Sequence, residues 1–135
     1  MTNVHKAKGD RAESAVAAYV KDRFPWSWRT RAGWDDDRGD VVLDLLDDKT
    51  ETYCLQVKDT AGPPGSPELA QLALQVQRGG HRGGVIWWKL RGKSSPAQWR
   101  VMMTGAAYLD LMRRLREMEQ AVRVLDDGIR AEVGP

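Results

Sequence analysis

Apolar and polar residues alternate twice in close succession between Gly39 and Lys58. The runs Gly39 to Leu46 and Tyr53 to Lys58 read as two adjacent strands, joined by a polar turn from Asp47 to Thr52. Period two decides which side chains share a face. On the second strand Tyr53, Leu55 and Val57 point one way, and Cys54, Gln56 and Lys58 the other. On the first, Asp40 stands at the entrance and Asp44 shares its parity.

Helical spacing appears on either side of this pair. Residues 9 to 24 carry Ala12, Val16, Tyr19 and Val20 as a buried stripe, with Asp10 as N-cap and Phe24-Pro25 as the stop. Trp26 to Trp34 alternates as a first strand. A proline- and glycine-rich loop follows Lys58 and runs into a helix from Ser66 as N-cap to about Arg78, with Leu69, Leu72, Ala73 and Val76 inward. Gln71, Gln75 and Arg78 line another face of that helix. Val85 to Trp88 is a continuous apolar run, as expected of a central strand covered on both faces. Trp99 to Thr104 reads as a further strand. Thr104 is then a cap for a last helix over 106 to 125, which carries Leu111, Leu115, Met118, Val122 and Leu125, with a loosely held tail beyond. Helix, three strands, helix, two strands, helix predicts an α/β domain with a mixed sheet flanked by helices. The whole chain, 1 to 135, is expected to form a single domain.

A net charge of +2 does not by itself announce a nucleic-acid binder, so any basic surface must come from clustering. One cysteine, Cys54, excludes an intramolecular disulfide framework and a multi-cysteine zinc site. Its place inside a strand favours packing over reactivity. His5 and His81 fit no zinc-binding spacing. No apolar run is long enough to span a membrane, and the N-terminus lacks a signal-peptide core, which leads to the expectation of a cytoplasmic protein.

The candidate chemistry sits where the two strands meet. Asp40 heads one strand beside Gln56 and Lys58 at the end of the other. Oxygen donors of this kind suit Mg²⁺, which takes few protein groups and keeps several waters. Glu13 lies at the edge of the first helix's buried face, although Asp10 and Glu13 also have the spacing of a capping box. Arginine interleaved with tryptophan at Trp28, Arg29 and Arg31 suits a nucleic-acid backbone and unpaired bases. The acids Asp35, Asp36 and Asp37 read as a solvated turn.

These residues, in this order of elements, resemble the PD-(D/E)XK nuclease superfamily. Asp40 matches its first Asp, Gln56-Val57-Lys58 its (D/E)-x-K element, and Glu13 the acid many members carry on the first helix. The run Lys8-Gly9 to Glu13 is most like the opening helix of archaeal-type Holliday junction resolvases. The likeness covers residues 8 to about 90. Two departures stand out: Gly39 precedes Asp40 where the motif has Pro, and Gln56 replaces an acid, as in the Gln-x-Lys branches of the superfamily. The resemblance implies a restriction-endonuclease-like fold and Mg²⁺- or Mn²⁺-dependent hydrolysis of phosphodiester bonds. Glu13, Asp40, Gln56 and the Val57 carbonyl would hold the metal, and Lys58 would orient water or stabilise the transition state. Phosphate contacts are expected from Lys6, Lys8, Arg11, Arg29, Arg31, Arg78 and Arg82. The expected function is a dimeric, structure-selective DNA endonuclease acting on branched DNA in recombination and repair. The alternatives are a flap, exo- or restriction-type nuclease of the same fold, or a DNA-binding module without cleavage.

Overall fold

A computed structural model describes residues 2 to 30 and 40 to 133, with only the backbone of residues 2 to 7. The chain forms two compact units, one up to Met103 and one from Thr104. The first holds a five-stranded mixed sheet in the order β1-β2-β3-β4-β5, with β1 at Trp28–Arg29, β2 at Val41–Asp44, β3 at Thr52–Lys58, β4 at Gly83–Trp88 and β5 at Arg100–Met102. Only β3 and β4 run parallel, because helix α2, Ser66–Gly79, carries the chain back between them. The other neighbours are antiparallel.

The two faces of β3 follow the predicted alternation. Leu55 and Val57, with Val41 and Trp99, pack against Ala12, Val16, Ala17 and Val20 of helix α1, Thr2–Arg23. Cys54 and Ile86 pack against Leu72 of α2 on the other face. Each such fully buried aliphatic side chain contributes about 1.5–3 kcal/mol. Cys54 is fully buried and forms no disulfide, a packing residue as expected.

Several expected boundaries move. Helix α1 starts at Thr2, so Asp10 lies inside it and is no cap; its carboxylate accepts from Arg29 instead. At Gly9 there is open space around the backbone, and a glycine in a helix costs only about 1 kcal/mol. The expected strand over 26 to 34 is described only as Trp28–Arg29, and Arg31, Trp34 and the acids 35 to 37 lie outside the described residues. β2 stops at Asp44, whose buried carboxylate accepts from the Lys49 amide while Asp47 and Lys49 take positive φ in the turn. The cap of α2 is Gly65 rather than Ser66; its amide donates to Glu68 Oε2 at 2.8 Å. On α2 Ala73 is exposed and Gln75 is buried, the reverse of the spacing argument, and Cys54 Sγ lies 3.8 Å from Gln75 Oε1.

β4 is not covered on both faces along its length. Only Ile86 is buried, because β5 beside it is short and carries exposed Arg100 and Val101. Trp87 and Trp88 instead use their indole N–H groups to hold loops, donating to Pro96 O at 3.1 Å and Thr60 O at 3.0 Å. Close approach of α2 to the sheet depends on Gly84. A Cβ there would stand 2.7 Å from Cys54 O and 3.0 Å from Leu72 Cδ1 and Val76 Cγ2. The backbone oxygen cannot move aside cheaply, so Gly84→Ala is expected to cost about 1–3 kcal/mol as overpacking. Denaturant unfolding measures it, and unchanged stability would refute the tight fit.

The second unit is helix α3, Gly105–Val133, with the Ala107 amide donating to Thr104 Oγ1 as the sequence predicts. It does not end near Leu125. Asp126 and Arg130 pair across one turn and carry the helix through the segment expected to be a loose tail.

Candidate functional site

The site lies where β2 begins and β3 ends. Extending the β2–β3 register places Asp40 opposite Gln56. The β2 strand starts only at Val41, so the Val57 amide has passed the end of that ladder. Asp40 Oδ2 accepts it at 2.8 Å, while the Asp40 carbonyl accepts from the Thr30 amide at 3.0 Å. The carboxylate is thus fixed at the strand end.

Gln56 is only 2 % exposed, and its Oε1 has no hydrogen-bond partner among the described residues. An unmatched buried amide oxygen costs roughly 1–3 kcal/mol, and such groups mark sites where an ion or ordered water belongs. Asp40 and Gln56 together offer hard oxygen donors of the kind Mg²⁺ accepts. Among the described residues no three His, Cys, Asp or Glu side chains gather as a metal-binding group. Among the described residues, the side-chain oxygens placed opposite each other at this strand end are the Asp40 carboxylate and the Gln56 amide oxygen.

Lys58, half-buried at the end of β3, lies close enough to Glu68 to act on it electrostatically. The Gly65 amide and the helix's own first-turn amide hold the Glu68 carboxyl below its ordinary value, and the Lys58 charge lowers it further. Sequence reasoning missed Glu68. The signal was the acid three residues after Gly65 at the start of α2.

Beyond Lys58 the ends of β3 and β4 open into a cavity of about 280 Å³ lined by Lys8, Asp59, Thr60, Lys89 and Arg91. Asp59 is flanked by Lys8 at 3.5 Å and Lys89 at 3.9 Å. Three cations around one carboxylate leave net positive charge. The carboxyl ends of parallel strands are also where open α/β sheets bind ligands. Of this set only Lys8 is among the phosphate contacts expected from the sequence.

The remaining sequence candidates are dispersed. Glu13 belongs to α1, which covers the Leu55–Val57 face, and accepts from Arg29 Nη2 at 2.7 Å and Nε at 3.1 Å. It is therefore no capping box, and Arg29 is engaged by Glu13, Asp10 and Ser14 together. These acids keep the guanidinium charged against the opposing effect of its burial. Arg11 is exposed on α1. Arg78 ends α2, and the Arg82 amide bonds Thr52 O at the start of β3, which places Arg82 six residues from Lys58, or roughly 20 Å along the strand. Arg82 is also paired with Glu51 at 2.7 Å. The Lys6 side chain and Arg31 lie outside the described residues.

No helix among the described residues is long and apolar enough to cross a membrane. No family model, no curated protein and no solved structure matches the chain.

Proposed function

We propose that the chain is a Mg²⁺- or Mn²⁺-dependent DNA endonuclease of restriction-endonuclease-like fold, selective for branched DNA and most like a Holliday junction resolvase. The observation that carries this reading is the anchored Asp40 carboxylate opposite the buried, unpartnered Gln56 oxygen, two residues before Lys58 on β3. Asp40, Gln56 and the Val57 carbonyl would hold the metal. When bound, the ion supplies positive charge against the phosphate and lowers the pKa of a water. Lys58 orients that water or stabilises charge developing in the transition state. Lys8, Lys89 and Arg91 receive a neighbouring backbone phosphate in the cavity beyond. Glu13 reaches the metal only if its pairing with Arg29 opens.

A second reading, a DNA-binding module without cleavage, is favoured by two observations. Gln56 is neutral where an acid is usual, and Glu13 is already committed to Arg29.

Gln56→Glu distinguishes these readings. The substitution places a carboxylate at a site 2 % exposed. Desolvation makes the variant less stable than the wild type in EDTA. On the metal reading, millimolar Mg²⁺ restores that stability by binding the folded state, a gain of about 2.7 kcal/mol at a hundredfold excess over the dissociation constant. Thermal unfolding with and without Mg²⁺ measures this, and a melting temperature indifferent to Mg²⁺ argues for the module.

Substrate choice is tested by cleavage of a four-way junction, a flap and the matching linear duplex at one salt concentration. Paired symmetric nicks in the junction support a resolvase. A chain that degrades linear ends as fast as it cuts junctions is an exonuclease instead.

A further inference from the structure

The second unit is a helix of 29 residues in which, among the described residues, nothing is buried. Its apolar residues do not scatter. Leu111, Leu115, Met118, Val122, Leu125 and Ile129 follow one another at alternating steps of four and three, and Tyr108 extends the series by one more step. That is the a/d repeat of a coiled coil, sustained for three heptads. The seam is open: Met118 is 60 % exposed, Val122 61 % and Leu125 67 %. The outer side is charged, with Arg113 bridging Asp110 and Glu117 at 2.8 Å each. An apolar stripe some 30 Å long on a helix of this length does not stay in water without a partner.

We infer that α3 pairs in parallel with α3 of a second copy of this chain. Three features select that occupant. The repeat is self-complementary, so an identical helix fits it without any other surface. Val122 and Ile129 fall at a and Leu125 at d, the pattern that favours two strands. Charge sets the direction. In the parallel register Arg114, at a g position, meets Glu119, at an e position, across the interface. An antiparallel pair would instead set the acidic e positions, Glu119 and Asp126, against each other. The inference stands whether or not the chain cuts DNA.

The test is light scattering and sedimentation of the full chain at tens of micromolar. The expected mass is twice the 15.2 kDa of one chain. Met118→Glu places a charge at each copy's seam and raises the dissociation constant by on the order of a hundredfold or more. Val124→Glu, on the same helix but outside the seam, leaves the dimer intact. Leu111→Cys and Leu125→Cys, made separately, both yield an interchain disulfide on mild oxidation, since Cys54 is buried and does not compete. These two keep the seam apolar and report on it even if Met118→Glu disturbs the helix. A monomeric wild type, a Met118→Glu chain that still dimerises, or a Val124→Glu chain that dissociates as readily overturns the interface. A disulfide at only one of the two cysteine positions overturns the parallel arrangement.

Discussion

Asp40→Asn is expected to keep the fold and to lose the proposed cleavage. The amide oxygen of Asn still accepts the Val57 N–H that Asp40 Oδ2 accepts at 2.8 Å, so the junction of β2 and β3 holds. What disappears is the negative charge beside Gln56, and with it the anionic ligand for a divalent ion. Cleavage of supercoiled DNA is expected to fall by about a thousandfold, the scale of losing a principal electrostatic element of a site. Asp40→Ala is a poorer probe, because it removes the carboxylate outright. In the fold that carboxylate satisfies a partly buried amide, and its loss costs about 1 kcal/mol. Full activity in purified, folded Asp40→Asn would remove Asp40 from the mechanism.

Lys58→Ala is expected to lower the cleavage rate by a hundred- to thousandfold with duplex affinity nearly unchanged. Lys58 ends β3 two residues past Gln56, whereas in the proposed reading phosphate affinity rests on Lys8, Lys89 and Arg91, which line the cavity beyond. A loss confined to binding would make Lys58 an anchor instead. A second readout is independent of DNA. The Lys58 charge helps hold the Glu68 carboxyl below its ordinary value, so the variant's Glu68 titrates at higher pH. The sign follows from linkage. A depressed carboxyl stabilises the fold above its unfolded pKa and loses that contribution as pH falls through the folded value. Lys58→Ala therefore shrinks the acid-side dependence of stability that Glu68 contributes.

The alternation of β3 was legible because a sheet with a helix on each face demands strict parity. Leu55 and Val57 meet α1, while Cys54 meets α2, as period two requires. The placement of Asp40 opposite Gln56 followed from the same parity and the turn between the strands. What the sequence hid was set by contacts between distant segments. Glu13 has the spacing of a capping box, yet Arg29, sixteen residues away, takes it once β1 lies against α1. Gln75 reads as surface, yet the crossover presses α2 so closely on Gly84 that this glutamine is buried beside Cys54. Arg78 and Arg82 look equivalent to Lys8 in a list of cations, but the parallel crossover carries them to the far end of β3. Lys89 and Arg91 arrive at the near end by the same geometry, which local pattern does not encode. The length of α3 escaped because the segment beyond Leu125 reads as a loose tail, while Asp126 pairs with Arg130 within the helix.

Nicking of supercoiled plasmid is the most direct measurement, made with the purified full chain in Mg²⁺, in EDTA, and with Asp40→Asn as the matched control. The site built on Asp40, Gln56 and Lys58 predicts open-circular product with the wild type in Mg²⁺ and none above background in the other two. Plasmid that stays supercoiled with the wild type in Mg²⁺ and Mn²⁺, or nicking that persists in EDTA or in Asp40→Asn, would contradict it.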